Sequence, residues 1–397
     1  MNEKISRALL SMSEKSSFAM AEKAKEFEKK SGIQVVHMEI GQPDFETPAH
    51  IKDAAVAALR EGKTKYVAPL GIPELRQAIA NYVSTTRGAA AAPEQVVVAP
   101  SGKTAMLMAL GAVVNPGDEV IYPDPGFPSY RNIITFFGGI PRPLPLREEN
   151  GFRFDIRDLE RLLSPKTKMV ILNFPSNPTG AVMEKESVAA VEKLLRTHDC
   201  FILSDEIYSR MVYDEAGCAS MYGAQSLHDR LFLLDGFSKT YAMTGWRLGY
   251  LVAPRHLIPS LDTLAVNMYG CTAAFTQYAG VAALTGPQEE AEKMMREFKA
   301  RRNAVVEGLN AIPGMACQMP GGAFYAFPNI KKFGITSEEF ADRLLEKEGV
   351  SLLPGSIYGN EGEGYVRISY ATSLPQIKEG LARIARFVKG IEALSQK

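Results

Sequence analysis

The chain has 397 residues, 46% hydrophobic and 23% charged, with 45 basic side chains balancing 45 acidic ones. That is globular composition at a length of two or three domains, and it excludes a disordered or fibrous chain. Zero net charge argues against nucleic acid or an anionic membrane as partner.

The first thirty residues interrupt every short apolar stretch with Glu, Lys or Ser, so they read as neither a signal peptide nor a membrane span. Cys200, Cys218, Cys271 and Cys317 are scattered without CxxC spacing. They read as reduced thiols, and no metal site is expected. Together these features point to a cytoplasmic protein. Further along, β-rich runs alternate with helical patterns: VVVA at 96–99, EVIY at 119–122, KMVILN at 168–173, FILS at 201–204, LFLLD at 231–235 and LGYLVA at 248–253. Between two of them Val188, Val191, Leu194 and Leu195 recur at helical spacing. This order predicts an α/β fold whose large domain, residues 46–285, has a mostly parallel sheet covered by helices. After residue 285 a long charged helix, a helix at 336–348 and the strand YVRISYA at 365–371 predict a smaller α+β domain over 286–397. The N-terminal segment 1–45 is expected to pack with it.

Four segments carry chemistry. PSGKT at 100–104 falls between a strand and a helix, but Val97 stands where a P-loop requires glycine. What survives is an anion site in which Ser101, Gly102 and Lys103 offer donors at a helix N-terminus. NFPSNPTG at 173–180 is an irregular turn able to aim Asn177 inward. In SDEIY, Asp205 ends an apolar strand, where a carboxylate needs a cation or strong donor. In GFSKTYAMTGWRLGY, Lys239 becomes nucleophilic only if burial or a cation such as Arg247 lowers its pKa. Singly, PSGKT is as easily an ordinary turn, and a plain loop at 173–180, a surface-loop Asp205 and a solvated Lys239 are the commoner readings. Together Ser101, Asn177, Asp205 and Lys239 each follow a predicted strand, which is where open α/β sheets bind ligands.

These motifs, with IGQPDFETP, KYVAPLGIPELRQAIA, GGAFYAF and YVRISYAT, span nearly the whole chain. They resemble the fold-type I pyridoxal-phosphate aminotransferases, the aspartate aminotransferase superfamily. The resemblance implies pyridoxal 5'-phosphate as cofactor and transfer of an amino group from an L-amino acid to a 2-oxo acid. It implies that Lys239 holds the cofactor as a Schiff base and then shuttles the substrate proton, and that Asp205 keeps the pyridinium nitrogen protonated. Asn177 and Tyr208 would donate to the phenolic oxygen, and Phe127 would stack on the ring. Ser101, Gly102, Lys103, Ser238 and Arg247 would hold the phosphate. Where the family often has a serine three residues before the lysine, this chain has Gly236. Gly41, Asn177 and Arg367 would bind the substrate carboxylate, Arg367 in a two-pronged pair. Tyr66 would reach the phosphate of a neighbouring subunit, implying a homodimer with shared sites.

A carbon–sulfur β-lyase on the same fold is the alternative, because the same carbanion can expel a leaving group from Cβ. An appended DNA-binding domain would support a noncatalytic sensor, but fewer than about 40 residues precede GQPDF, and a P-loop ATPase is weakened by Val97. The stretch 266–277 holds no basic residue for a substrate dicarboxylate. A pocket of Tyr269, neighbouring apolar groups and Phe18 is therefore expected to prefer neutral or aromatic donors, unless a residue such as Arg131 supplies the charge.

Overall fold

The structure is a computed structural model and describes residues 5–10, 12, 17–214 and 217–395. The remaining positions of the expected first and last segments, 1–4, 11, 13–16 and 396–397, lie outside the described residues. In chain order the strands are β1 Val36–His37, β2 Val96–Ala99, β3 Glu119–Asp124, β4 Ile140–Arg147, β5 Arg153–Phe154, β6 Thr167–Asn173 and β7 Phe201–Asp205. There follow β8 Leu231–Gly236, β9 Gly249–Val252, β10 Tyr325–Ala326, β11 Val350–Ser351, β12 Leu353–Pro354 and β13 Val366–Ser369.

Eight strands form one sheet in the order β2-β9-β8-β7-β6-β3-β4-β5. β4, β3, β6, β7 and β8 pair in parallel, while β9 runs antiparallel to both β8 and β2. Their apolar runs are continuous because both faces are covered. Val96, Val98, Ile202 and Leu233 join one core; Val97, Leu203, Phe232 and Leu234 join the core on the opposite face.

β4, IPRPLPLR, is a strand that the sequence pattern hides. Ile140 N–H donates to Asp118 O. Backbone donors alternate sides along a strand, so Pro141, Pro143 and Pro145 remove only N–H groups that face away from β3.

A third core holds Val36, Phe298, Phe324, Phe340 and Ile368. It is framed by the antiparallel sheet β10-β13-β12, the parallel pair β1-β11 and two 22-residue helices, Glu289–Asn310 and Leu374–Ser395. β1 thus ties the N-terminal segment to the C-terminal third. Among the described residues no helix is long and apolar enough to cross a membrane.

Candidate active site

Strand direction delivers the chemistry. β2, β8, β7 and β6 end on one edge of the sheet, and β9, running the other way, begins there. The strand order therefore sorts the charges: Ser101–Lys103 and Arg247 come from the β2-β9 side, Ser238 and Lys239 follow β8, and Asp205 and Asn173 end β7 and β6. A cavity of about 610 Å³ opens at this edge, and all of these residues line it, with Gly41, Phe127, Asn177, Tyr208 and Arg367. Tyr66 is 94% exposed and does not line it.

The backbone is crowded where β2 meets the helix Gly102–Val113. A Cβ on Gly249 would lie 2.5 Å from the Gly102 nitrogen. Ser101 caps the helix, its Oγ accepting from Thr104 N–H at 3.2 Å, and holds φ at 129°, a conformation few non-glycine residues adopt. Arg247 is also left-handed, with φ 55°, and donates to Thr244 O at 2.7 Å. The glycine at 236 has a local reason. A Cβ there would stand 3.1 Å from Gly249 Cα and 3.1 Å from Leu248 O, so a serine would press on β9.

Asp205 is buried. Tyr130 Oη donates to its Oδ2 at 2.6 Å and Ile207 N–H to its Oδ1 at 3.2 Å. Burial raises its carboxyl to about 6 against these donors. Asn173 Nδ2 donates to the Asp205 carbonyl at 3.0 Å and its Oδ1 accepts Asn177 N–H at 3.0 Å, so one amide fixes the strand end and the following turn.

Lys239 is partly exposed, onto the cavity it lines. Burial, then the charges of Arg367, Arg247 and Lys103, lower its amine to about 7. Its Nζ donates to Gly41 O at 2.6 Å. Lys103 is also held below its ordinary value, by burial and then Arg247, and its Nζ stands 5.4 Å from the Phe127 ring centre.

Arg367 is buried. It donates from Nη1 to Asn177 Oδ1 at 3.3 Å and from Nη2 to the Glu39 carbonyl, while among the described residues Nε has no hydrogen-bond partner. Its guanidinium lies 4.3 Å from the Tyr325 ring centre, and Tyr325 Oη shares a 2.8 Å hydrogen bond with Tyr208 Oη.

Tyr130, Asn173 and Tyr325 are three lining residues that sequence reasoning did not single out. Tyr130 lies three residues after Phe127, and Asn173 and Tyr325 sit inside the quoted motifs NFPSNPTG and GGAFYAF. Phe18 lines the cavity and Tyr269 does not: its hydroxyl is spent on Val98 O at 3.1 Å. Arg131 is exposed on the helix Ser129–Phe136 and is absent from the lining.

The donor set fits pyridoxal phosphate. Four basic side chains and one carboxylate line the cavity, and among the described residues the buried Nε of Arg367 is unpartnered. Lys103, Arg247 and the capped helix start suit a phosphate, and Asp205 suits a ring N–H. Phe127 offers an aromatic wall and Lys239 a near-neutral amine.

Comparison with known proteins agrees. The model of the family "Aminotransferase class I and II" matches residues 33–384. The chain is 40% identical to an aspartate aminotransferase of Pyrococcus horikoshii, over 92% of this chain and 93% of that one. It is 39% identical to an aromatic-amino-acid aminotransferase of Thermococcus litoralis, over 91% and 94%. The crystal structure of an aspartate aminotransferase from Rhizobium meliloti superposes with a TM-score of 0.93 at 35% identity, covering 97% and 99%. These relatives favour amino-group transfer over the β-lyase alternative. The chain belongs to the class I and II aminotransferases, enzymes that use pyridoxal 5'-phosphate to move an amino group from an amino acid to a 2-oxo acid.

Proposed function

We propose that this cavity is the transamination site, with Lys239 as the amine that carries the cofactor. The observation that supports it best is the convergence of a lysine lowered to about 7, a buried carboxylate without a cation and a buried arginine on one cavity. Bound pyridoxal phosphate supplies a carbon electrophilic toward amines and a ring that accepts the electrons released when a substrate Cα loses its proton.

The chain's own residues do the rest. Arg367, held by Asn177 and Glu39, grips the substrate carboxylate beside Gly41 and so fixes the direction of the Cα–H bond. Lys239 Nζ both takes and returns that proton, because a pKa near the working pH serves either direction. Asp205 keeps a ring nitrogen protonated; Tyr130 and Asn173 hold it in place. Asn177 and Tyr208 serve the phenolic oxygen, Phe127 the ring face, and Ser101, Gly102, Lys103, Ser238 and Arg247 the phosphate.

The working unit is read as a homodimer in which Tyr66 of each subunit completes the other's site. Its near-complete exposure and absence from its own cavity support that reading. The chain divides into an N-terminal segment 1–45, a large cofactor-binding domain 46–285 and a small domain 286–397; the β1-β11 pairing and the third core support this division. The free cysteines suit a cytoplasmic enzyme.

The relatives' names divide between aspartate and aromatic donors. Phe18, Ile40 and Met106 line the cavity, and each of its cations already has an assigned anion or electron-pair task. The substrates are therefore read as neutral or aromatic amino acids. The test is a panel of half-reactions with phenylalanine, methionine, alanine and aspartate, following cofactor absorbance and oxo-acid release. Aspartate winning in kcat/KM by more than about 100-fold would overturn the substrate reading, and absence of oxo acid from every donor would overturn the site.

A further inference from the structure

We infer that Tyr325 is a positioning residue that couples the carboxylate grip at Arg367 to the hydroxyl of Tyr208. The inference deepens the site reading above and rests on its roles for Tyr208 and Arg367.

Three expected site residues meet at this one side chain. Its hydroxyl is 2.8 Å from Tyr208 Oη. Its ring centre is 4.3 Å from the Arg367 guanidinium. A Cβ on Gly41 would fall 2.3 Å from the Tyr325 hydroxyl, so the glycine at 41 makes room for this phenol. Gly41 in turn offers its carbonyl to Lys239. Tyr325 is 1% exposed and is held on β10, which pairs with the strand carrying Arg367: Tyr325 stands opposite Ser369 and Ala326 opposite Ile368.

Proton counting gives the pair a direction. Two hydroxyls that share one hydrogen bond leave one O–H free. For Tyr208 to donate to an acceptor in the cavity, Tyr325 must be the donor within the pair. Such a chain strengthens the outer donor, because each hydrogen bond polarises the next. The guanidinium over the Tyr325 ring makes its O–H a better donor. Charged and titratable groups around the pair are Arg367, Lys239, Asp205 and Tyr358.

Substitution separates hydroxyl from ring. In the cofactor-loaded protein, Tyr325→Phe keeps the ring under Arg367 and removes the donor to Tyr208. The pH midpoint of the cofactor's visible absorbance is expected to rise by roughly half to one unit, as the phenolic oxygen loses stabilisation, and kcat to fall about three- to tenfold. The Kd of 3-phenylpropionate, an unreactive carboxylate, should stay within about twofold. Tyr325→Leu removes the ring as well and should weaken that Kd by about tenfold.

Tyr208→Phe and Arg367→Met serve as controls for the absorbance midpoint and the carboxylate Kd respectively. If the controls move their readouts while Tyr325→Phe leaves the midpoint unchanged, or Tyr325→Leu leaves the Kd unchanged, the coupling is overturned. If neither control moves its readout, the site reading itself falls, and the inference with it.

Discussion

Asp205 ends β7 and Asp235 stands one residue before the end of its parallel neighbour β8; both are buried, and burial raises both carboxyls to about 6. Their partners differ. Asp235 Oδ2 accepts from Arg87 Nη2 at 2.7 Å and Ser209 Oγ at 2.9 Å, and its Oδ1 from Gly236 N–H at 2.7 Å. Arg87 also pairs with Glu206 at 2.8 Å, which in turn accepts from Ser204 at 2.8 Å and Ser220 at 2.7 Å. That cluster is closed: every charge faces an opposite charge or a donor inside the protein. Asp205 has only neutral donors and faces a cavity. Burial and a displaced pKa therefore do not by themselves mark a working carboxylate. The open side does, because only there can a ligand supply the missing positive charge.

The largest expected effect lies at the amine opposite that open side. Lys239→Ala should lower kcat/KM for transamination by at least about 10³-fold, and a variant within tenfold of the parent would remove the lysine from the chemistry.

The two aspartates should then separate cleanly. Asp205→Asn is expected to cost about 10²–10³-fold in rate while leaving the stability of the cofactor-free protein within about 1 kcal/mol, since no internal cation loses its partner. Asp235→Asn should instead cost about 2–4 kcal/mol in urea unfolding and leave the turnover of the folded protein within about tenfold. The reverse pattern would break the comparison.

A third measurement sharpens it through pH. In the cofactor-free protein the folded pKa of Lys239, about 7, lies below its ordinary value of 10.5, so the unfolded chain binds more protons between these limits. Stability should rise with pH across that window, and the penalty is complete below pH 7. Lys239→Met should thus stabilise the cofactor-free protein by about 2–4 kcal/mol at pH 6 and by little near pH 10. Equal unfolding midpoints for parent and variant at both pH values would show that the amine is solvated. The smallest effect is at the crowded strand pair: Gly236→Ser should lose about 1 kcal/mol by pressing on β9, and gain no cofactor affinity. Tighter cofactor binding in that variant would show that β9 yields.

The sequence made the sheet and most of the cavity readable because both are local. VVVA, FILS and LFLLD are short apolar runs, and Ser101, Asp205 and Lys239 each follow one of them. Their ends shifted by a residue or two, as at LGYLVA, where the strand is Gly249–Val252. The antiparallel course of β9 was not readable, since orientation depends on a pairing partner. Tyr130 and Tyr325 were missed for the same reason: their partners Asp205 and Tyr208 lie 75 and 117 residues away, and nothing beside them in the chain tells a hydrogen-bonded phenol from a packed one. Tyr269 lies outside its own subunit's cavity. Its place in the chain suggested the pocket, while its hydroxyl finds a backbone carbonyl of β2.

The strand order also governs when the molecule can be completed. Among the described residues β2 pairs only with β9, so Val97 waits for Leu251, and the first turn of the helix after Ser101 waits with it. A ribosome adding about 5–20 residues per second takes roughly 8–30 s to make the intervening stretch. Until then β2 is an unpaired apolar edge, the kind of segment on which chaperones act. The corner proposed to hold the phosphate is thus expected to be among the last parts of the large sheet to close, and a cofactor that needs it could be bound only after the chain has been made past β9.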